Sequence, residues 1–494
     1  MPMETVFSVK PFLAVLVSLI AIPCIISSRS QNIRESWTFA AAFIKFALVL
    51  SMLPLVLNGG VVEYTVCQIF PNLGIAFRVD AFGMLFALVA SSLWIITSIY
   101  SIGYMRHLDE HSQTRYFCFF AVALSATIGV AFSANLLTMY LFYEMLSLAT
   151  YPLVTHHQDK EARSSGRKYL LYILGGSIGF ALPAMLITYH FTGTLDFTGH
   201  GVMAGHVTSG TALVLTLMFL FGFAKVGIMP MHSWLPAAMV APTPVSALLH
   251  AVAVVKVGAF SVVRVFTGIV GIDLLAEFNI GTVVCVIASF TIIVASLIAM
   301  SQDGLKRRLA FSTIAQLSYI ILGVGLVTAS GMTGGMLHIA MHAFGKITLF
   351  FCAGAIFCAT GIKNISQMKG IGKRMPITMT AFFIGSLSVI GLPPCGGFIS
   401  KWYLVLGTLE AGSIPLLVVL LTSSFLNAVY FLPIVYNAFF CSAEDSLFEP
   451  ERKEPPLYCV VPLVITSICS VILFFFPQPF LNLAKMAATT FLGG

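Results

Sequence analysis

Long apolar stretches alternate with short polar segments along the whole chain. About fourteen of these stretches run for roughly 18–25 residues, long enough for a helix to cross a bilayer. They lie near residues 9–27, 37–57, 79–104, 116–133, 135–155, 168–192, 211–229, 244–268, 279–300, 309–328, 334–358, 378–405, 413–440 and 457–478. The pattern therefore predicts an all-α integral membrane protein with about fourteen transmembrane helices.

Lysine and arginine residues are concentrated in alternate connections between these predicted helices. The loops after the first, third, fifth, ninth, eleventh and thirteenth helices hold most of them. Because cytoplasmic loops carry such an excess of positive charge, we expect these loops to be cytoplasmic and both termini to lie outside.

Composition agrees with a membrane protein and excludes several other classes. Of 494 residues, 58% are hydrophobic and only 9% are charged, whereas soluble domains carry about 25% charged residues. The net charge of +7 is spread without a long basic run, so nucleic-acid binding is not expected. No CxxC spacing occurs among the ten cysteines, and we find no flavin, haem or iron–sulfur motif. The sequence therefore predicts no cofactor and no metal site.

Helix breakers occur at two places, between the two apolar arms of residues 222–265 and within the predicted span 378–405. The first has four prolines within 222–265, namely Pro230, Pro236, Pro242 and Pro244, and the second has Pro393 and Pro394 before Gly396 and Gly397. Proline removes a backbone donor, so these breaks free polar groups at membrane depth. Such breaks are tolerated where they line a cavity, and a corresponding pair of them indicates a transporter built from two repeats.

Ionisable residues lie inside the apolar stretches, where their burial is costly and usually functional. Glu144 is the one deep carboxylate, and Lys225 is the natural partner that would keep it ionised. A static salt bridge that only fixes helix packing is the alternative. Lys225, Lys256, Lys346 and Lys401 could form a row, because a lysine buried in hydrocarbon can release its proton near neutral pH. Snorkelling to the interface is the alternative for each.

The histidines of the apolar stretches extend this row. His338, His342 and Lys346 are spaced by four residues, which places all three on one helix face. Imidazole titrates in the physiological range and suits a relay between lysines. His250 and Lys256 are six residues apart, so either the helix is irregular there or only one of them faces the pathway.

The remaining polar residues are expected to play ordinary roles. Lys45 is expected to snorkel, and Asp80 to form an interfacial pair with Arg78 at a helix start. The charged run 159–168 is expected to be a solvated loop. The loop histidines are also expected to be solvated; they are His107, His111, His156, His157, His200 and His206.

Several motifs together resemble the antiporter-like subunits of the respiratory complex I superfamily, which includes Mrp-type cation/proton antiporters and membrane-bound hydrogenases. The matching pieces, in the family's order, are LFYEMLSLATYPLV, GFAKVGIMPMHSWLPAAMVAPTPVSALLHAVAVVKVG, DGLKRRLAFSTIAQLSYIILG, HIAMHAFGKITLFF and GLPPCGGFISKW. The resemblance implies a fourteen-helix core with two inverted five-helix repeats and two discontinuous helices. We divide the chain into N-terminal helices (1–110), repeat one (111–270), repeat two (271–440) and a C-terminal helix and tail (441–494).

The resemblance also implies roles for the buried residues. By motif position, Glu144 and Lys225 resemble the family's paired charges, and Lys401 resembles the terminal residue that exchanges protons with the outside. His250 and Lys256 resemble the family's eighth-helix relay positions. The central connecting relay is resembled by His338, His342 and Lys346. A proton would enter from the cytoplasm near Lys225 or Lys256, pass through the histidines to Lys346 and leave from Lys401.

These observations predict a proton-translocating, non-redox subunit of a multisubunit complex in an energy-transducing bacterial or archaeal membrane. Its partners would be other membrane subunits, protons and the lipid bilayer, with Na⁺ as an alternative cargo. Two other functions stay open: a subunit of a secondary Na⁺/H⁺ antiporter, and a non-conducting scaffold. The resemblance leaves the complex itself undecided among complex I-like, hydrogenase and Mrp types.

Overall fold

Helices form nearly all of the regular structure. The computed structural model describes residues 4–70, 73–441 and 453–493, without the side chains of Phe70, Leu249 and His250. Among the described residues, ten helices are long and apolar enough to cross a membrane. The prediction of a helical, multi-pass membrane protein is therefore confirmed.

Up to residue 277, the described part of the chain contains twelve α-helices, several of them short pieces of interrupted spans. They are α1 (Lys10–Ser27), α2 (Gln31–Leu57), α3 (Ala81–His107), α4 (Gln113–Ala131), α5 (Leu136–Val154), α6 (Lys160–Gly176), α7 (Leu182–Thr192), α8 (Ser209–Gly222), α9 (Trp234–Ala237), α10 (Thr243–Ala251), α11 (Val254–Val265) and α12 (Ile272–Glu277).

The second half contains nine more helices in its described part. They are α13 (Ile280–Ser301), α14 (Leu305–Gly325), α15 (Ala329–Thr360), α16 (Ile371–Arg374), α17 (Pro376–Ile390), α18 (Gly397–Glu410), α19 (Ile414–Phe440), α20 (Leu457–Phe475) and α21 (Gln478–Phe491).

A small β-sheet stands between α2 and α3, where the sequence predicts only loop. Strand β2 (Val61–Phe70) pairs antiparallel with β3 (Leu73–Val79) and parallel with β1 (Thr5–Phe7). The sheet is joined to the helices through Arg78, whose backbone N–H donates to the carbonyl of Phe132 at 2.7 Å. The chain is thus not purely α-helical.

Three predicted boundaries differ from the structure. The charged run from Asp159 to Lys168 is the start of α6 rather than a solvated loop, because the Asp159 carboxylate caps the helix by accepting from Ala162 N at 2.6 Å. The predicted span 244–268 is divided between α10 and α11, with Val252 and Ala253 outside both helices. Residues 478–491 form an additional helix, α21, that packs on α3 and α15.

Helix α15 lies at the centre of the molecule. It is 32 residues long and buried over most of its length, since it packs against α3, α10, α14, α17, α18, α20 and α21. A helix that is apolar all round and covered by neighbours must satisfy every polar side chain within the protein. The residues that α15 carries are therefore placed where only other side chains can reach them.

An ion pair links the beginning of α3 to the end of α11. Arg264 donates to both carboxylate oxygens of Asp80, at 2.5 and 2.8 Å, while Asp80 also caps α3 by accepting from Gly83 N at 2.8 Å. Arg78 instead pairs with Glu63 at 2.6 Å. The prediction of an Asp80–Arg78 pair was wrong, because the true partner is 184 residues away along the chain.

Replacing Arg264 should destabilise the protein more than replacing Arg78. The Arg264 side chain is 3% exposed, so Arg264→Ala leaves Asp80 without its charge partner and should cost about 2–3 kcal/mol. The Arg78 pair is more exposed, and Arg78→Ala should cost about 1 kcal/mol or less. The apparent thermal unfolding midpoint in detergent measures both; an equal fall for the two variants would contradict this ranking.

A close approach between α11 and the chain after α8 depends on Gly258. A Cβ atom at this position would lie 2.2 Å from Val226 N and 2.4 Å from the carbonyl carbon of Lys225. Only a residue without a side chain allows the two backbones to meet. Gly258 therefore fixes the position of the short turn that carries Lys225 against α11.

Gly258→Ala should displace this turn and lower the unfolding midpoint, since the obstructing atoms are backbone rather than a flexible side chain. The matched control is Gly175→Ala, because a Cβ at Gly175 would meet nothing within 4 Å. In that helical position alanine should be neutral or stabilising by about 1 kcal/mol. Unchanged stability of Gly258→Ala would refute the close approach.

Candidate functional site

Three ionisable residues of the predicted relay lie on one face of α15, as their spacing predicts. His338, His342 and Lys346 are each no more than 2% exposed. The rings of the two histidines are stacked with their centroids 5.5 Å apart. The central helix therefore presents a column of titratable groups to its neighbours α11, α14 and α18.

Lys256 of α11 meets this column at His342. Its Nζ lies 2.6 Å from His342 Nδ1, a distance at which a proton can pass directly between the two nitrogen atoms. One of the two must be the donor and the other the acceptor. Nε2 of His342 is buried and has no hydrogen-bond partner among the described residues.

His338 is held by polar side chains on both sides of its ring. Its Nδ1 lies 2.9 Å from Ser400 Oγ and its Nε2 lies 3.0 Å from Gln316 Oε1. The amide oxygen of Gln316 can only accept, so Nε2 carries a hydrogen. The Ser400 hydroxyl has one hydrogen, which it can donate either to Nδ1 or to the Gly397 carbonyl 3.1 Å away. The ring of Tyr319 stands edge-on to His338 at 5.6 Å.

Lys401 follows Ser400 on α18, at the second interrupted helix. Its Nζ donates to the Ile390 carbonyl at 2.9 Å and to Ser424 Oγ at 3.1 Å, and lies 4.9 Å from the centre of the Tyr319 ring. In a continuous helix the Ile390 carbonyl would accept from residue 394, but Pro394 has no N–H. The proline break thus supplies the acceptor that the lysine uses.

Lys346 makes a separate polar contact beside the two histidines of α15. Its Nζ donates to Ser312 Oγ of α14 at 2.8 Å and lies 5.5 Å from the centre of the Phe431 ring. Lys346 is about two helical turns from Ala353, which lines the cavity described below. On α15 it is the relay residue nearest to that cavity.

Lys225 lies in the first interruption, in a single 3₁₀ turn after α8. Its Nζ donates to the Tyr143 carbonyl and to Ser147 Oγ of α5, both at 2.6 Å, and lies 3.1 Å from the centre of the Tyr143 ring. The indole of Trp234 donates to the Ala224 carbonyl at 3.0 Å. The interruption therefore has its own internal support and directs the lysine at α5.

Glu144 lies between the two α5 residues that Lys225 contacts, but it does not itself bond the lysine. Its carboxylate oxygens are buried and accept no hydrogen bond from the described residues. None of the ion pairs in the described part of the chain includes a lysine. The two charges are thus close neighbours that are separated in this conformation.

The structure bears on two further predictions, one for Lys45 and one for His250. Lys45 is fully buried and donates to Ser18 Oγ at 2.8 Å, so the expectation that it snorkels to the interface was wrong. The side chain of His250 lies outside the described residues; its backbone belongs to the last turn of α10. The six-residue spacing of His250 and Lys256 left open whether the helix is irregular between them. The break between α10 and α11 shows that it is irregular there.

A cavity of about 650 Å³ opens at the end of the molecule that carries the basic loops. Its lining includes Glu110, His157, Thr243, Lys306 and Ala353. It therefore reaches from the loops predicted to be cytoplasmic to the first residues of α10 and the last turns of α15. Lys306 donates to the Ala241 carbonyl at 2.6 Å inside this region.

The uncharged polar residues of the site were missed by sequence reasoning. Ser147, Ser312, Gln316, Tyr319 and Ser400 each touch a relay residue or lie between two of them. Of these residues, Gln316 could have been predicted from the sequence, because a glutamine amide in an apolar helix needs a buried hydrogen-bond partner. A serine can satisfy itself by bonding the carbonyl four residues back, so it gives no such signal.

Comparison with known proteins places these features in a family. Residues 133–427 match the family model described as NADH:quinone oxidoreductase/Mrp antiporter, TM, and residues 71–117 match the N-terminal model of NADH-ubiquinone oxidoreductase (complex I) chain 5. The first match spans more than half of the chain and includes every residue of the predicted row.

Individual relatives come from different complexes. NADH-quinone oxidoreductase subunit N of Desulforudis audaxviator is 32% identical over 83% of this chain and 84% of its own length. Hydrogenase-4 component B of Escherichia coli is 31% identical over 80% of this chain, which spans only 62% of that longer relative. A chain in the structure of the Mrp complex from Dietzia sp. superimposes with a TM-score of 0.87 over 98% of both chains at 22% identity. The chain therefore belongs to the NADH:quinone oxidoreductase/Mrp antiporter family of membrane subunits.

Proposed function

We propose that this protein is a proton-translocating, antiporter-like subunit of a multisubunit membrane complex. The observation that carries the proposal is the buried row of lysines and histidines, none of whose lysines pairs with a carboxylate in the described residues. A scaffold would gain nothing from such costly groups, whereas a proton pathway requires groups that can exchange their protons. The members of the row are Lys225, Lys256, His338, His342, Lys346 and Lys401, with Glu144 beside its first lysine and His250 as a further candidate.

Protons enter through the cavity at the basic loops and reach the row at Lys256 and Lys346. Both lie close to His342, the first by direct contact and the second one helical turn along α15. From His342 the proton passes to His338 and then through the Ser400 hydroxyl to Lys401, the next residue on α18. The contacts thus support an order in which His338, rather than Lys346, precedes Lys401.

Glu144 and Lys225 act as an electrostatic gate. When the carboxylate is near the ammonium it stabilises the charged lysine, and when they separate the lysine keeps only the carbonyl and hydroxyl of α5. Moving one charge through the membrane potential costs about 2.3 kcal/mol per 100 mV. A change in one ion pair at low dielectric is of that size, so a small movement of α5 suffices.

The finer architecture belongs to the same proposal. The ten long helices become fourteen membrane crossings when four further segments are added. These are α5, the interrupted spans α8–α9 and α17–α18, and α10–α11. Residues 111–270 and 271–440 form two inverted five-helix repeats, with the loops at the cavity facing the cytoplasm. Energy comes from partner subunits in the same membrane, as the relatives' membership in redox and antiporter complexes supports.

Lys225→Ala should abolish proton translocation without preventing assembly. The experiment measures dye-reported acidification in vesicles that contain the complex purified through this chain. A fully buried lysine outside the row provides the matched control: Lys45→Ala removes a comparable side chain and one hydrogen bond to Ser18, but should leave the transport rate within about twofold after normalising for protein content. Undiminished transport by Lys225→Ala would remove this residue from the pathway.

The order of the relay is tested by two serine variants. Ser400→Ala removes the contact between His338 and the end of the row, so transport should slow roughly fivefold for one hydrogen bond of about 1 kcal/mol. Among the residues of the row, Ser312 contacts Lys346, so Ser312→Ala should slow transport less. A larger effect of Ser312→Ala would place Lys346 directly before Lys401.

Carriage of Na⁺ by a secondary antiporter is the alternative. Carboxylates are the usual ligands of hard cations, and Glu144 is the deep carboxylate whose oxygens have no hydrogen-bond partner among the described residues. Proton movement measured with and without a Na⁺ gradient separates the two functions. Transport that requires Na⁺ and is lost in Glu144→Gln would favour the antiporter.

A further inference from the structure

Two loops meet at the rim of the 650 Å³ cavity and bring three histidines and a glutamate together. Glu110 and His111 follow α3, and His156 and His157 follow α5. The expectation that these histidines are all solvated was wrong for His156, which is fully buried. Neither of its ring nitrogens has a hydrogen-bond partner among the described residues.

The ligand atoms of this cluster have a spacing that suits a metal ion. Glu110 Oε2 lies 3.6 Å from His157 Nδ1 and 3.7 Å from His156 Nε2. One ligand atom each of Glu110, His111 and His157 lies within 4.8 Å of the others. Zinc binds nitrogen and oxygen at about 2.0–2.2 Å in a tetrahedron, which places neighbouring ligand atoms roughly 3.3–3.6 Å apart. The 3.6 Å between Glu110 and His157 is too long for a hydrogen bond and matches this spacing, and the His111 ligand atom lies within 4.8 Å of both.

We propose that Glu110, His111 and His157 bind a divalent transition-metal ion of the zinc class. Imidazole and carboxylate are the donor set that such ions prefer over Mg²⁺ or Ca²⁺, which take oxygen ligands. The buried His156 supports the site without being a ligand: its ring stacks nearly parallel on that of His111, with centroids 4.6 Å apart, so the two ring planes cannot converge on one ion. Glu110, with a side chain 12% exposed, and the more open His157 leave the site accessible from the cavity.

Backbone contacts hold both loops in place. Arg115 donates to the His156 carbonyl at 3.0 Å, and the Glu110 N–H donates to the Met105 carbonyl at 3.0 Å. A bound ion would therefore join the α3–α4 connection to the end of α5. Because α5 carries Glu144 and the residues that hold Lys225, and because the site lies at the cavity rim, the ion would also slow proton entry. This consequence rests on the proposed function, but the binding does not.

Binding is tested with Co²⁺ as a spectroscopic probe on the full-length protein in detergent. The expected result is one Co²⁺ per chain, with visible d–d absorption, no thiolate charge-transfer band, and displacement by Zn²⁺. The double variant His111→Ala/His157→Ala should bind at least roughly tenfold more weakly. The matched control is His200→Ala/His206→Ala, which removes two other exposed histidines and should bind like the parent.

Failure of Co²⁺ to bind stoichiometrically, or equal binding by both double variants, would overturn the site. Inhibition of proton transport by micromolar Zn²⁺ is measured separately in vesicles, where the His111→Ala/His157→Ala complex should resist concentrations that inhibit the parent. Site-specific binding without inhibition would refute the effect on proton entry alone. Loss of transport in Lys225→Ala tests the proposed function independently of either result.

Discussion

The structure depends on how an ammonium group is kept in hydrocarbon without a fixed counter-charge. Each buried lysine of the row donates to neutral acceptors instead of carboxylates. Lys401 uses the Ile390 carbonyl that Pro394 leaves free, and Lys225 uses a carbonyl and a hydroxyl of α5. Neutral acceptors solvate the charged lysine but bind it less strongly than an acid would. The proton is therefore retained loosely enough to be passed on.

This requirement also explains why the helices differ in continuity. A continuous helix bonds its own carbonyls internally, but a carbonyl oxygen can accept a second hydrogen bond, as Tyr143 of α5 does from Lys225. The first interruption positions Lys225 for this contact, and the second frees the Ile390 carbonyl for Lys401. The long, continuous α15 carries the histidines, which need fixed spacing instead. Glycine makes the arrangement possible at the contact between the two kinds of helix, because Gly258 allows the turn with Lys225 to touch α11.

The sequence predicted the features of this arrangement that depend only on residues close together in the chain. The spacing of His338, His342 and Lys346 was enough to place them on one face, and prolines located both interruptions. Contacts between distant segments were not predictable: Lys256 meets His342 across 86 residues, and Arg264 replaces Arg78 as the partner of Asp80. The burial of His156 depends in the same way on which loops meet. The periodicity of apolar residues does not predict which segments meet, because an apolar helix face can pack against several different neighbours.

The contact between Lys256 and His342 constrains how the row can be loaded. Two nitrogen atoms 2.6 Å apart share one hydrogen between them, so a proton on His342 Nδ1 excludes a second one on the facing side of Lys256. Lys346 approaches the same histidine along α15 from the cavity side. A proton that arrives by one proposed route therefore changes how readily His342 accepts a proton from the other. Coupled occupancy at one imidazole is sufficient to link the two proposed entry routes, without any movement of the central helix.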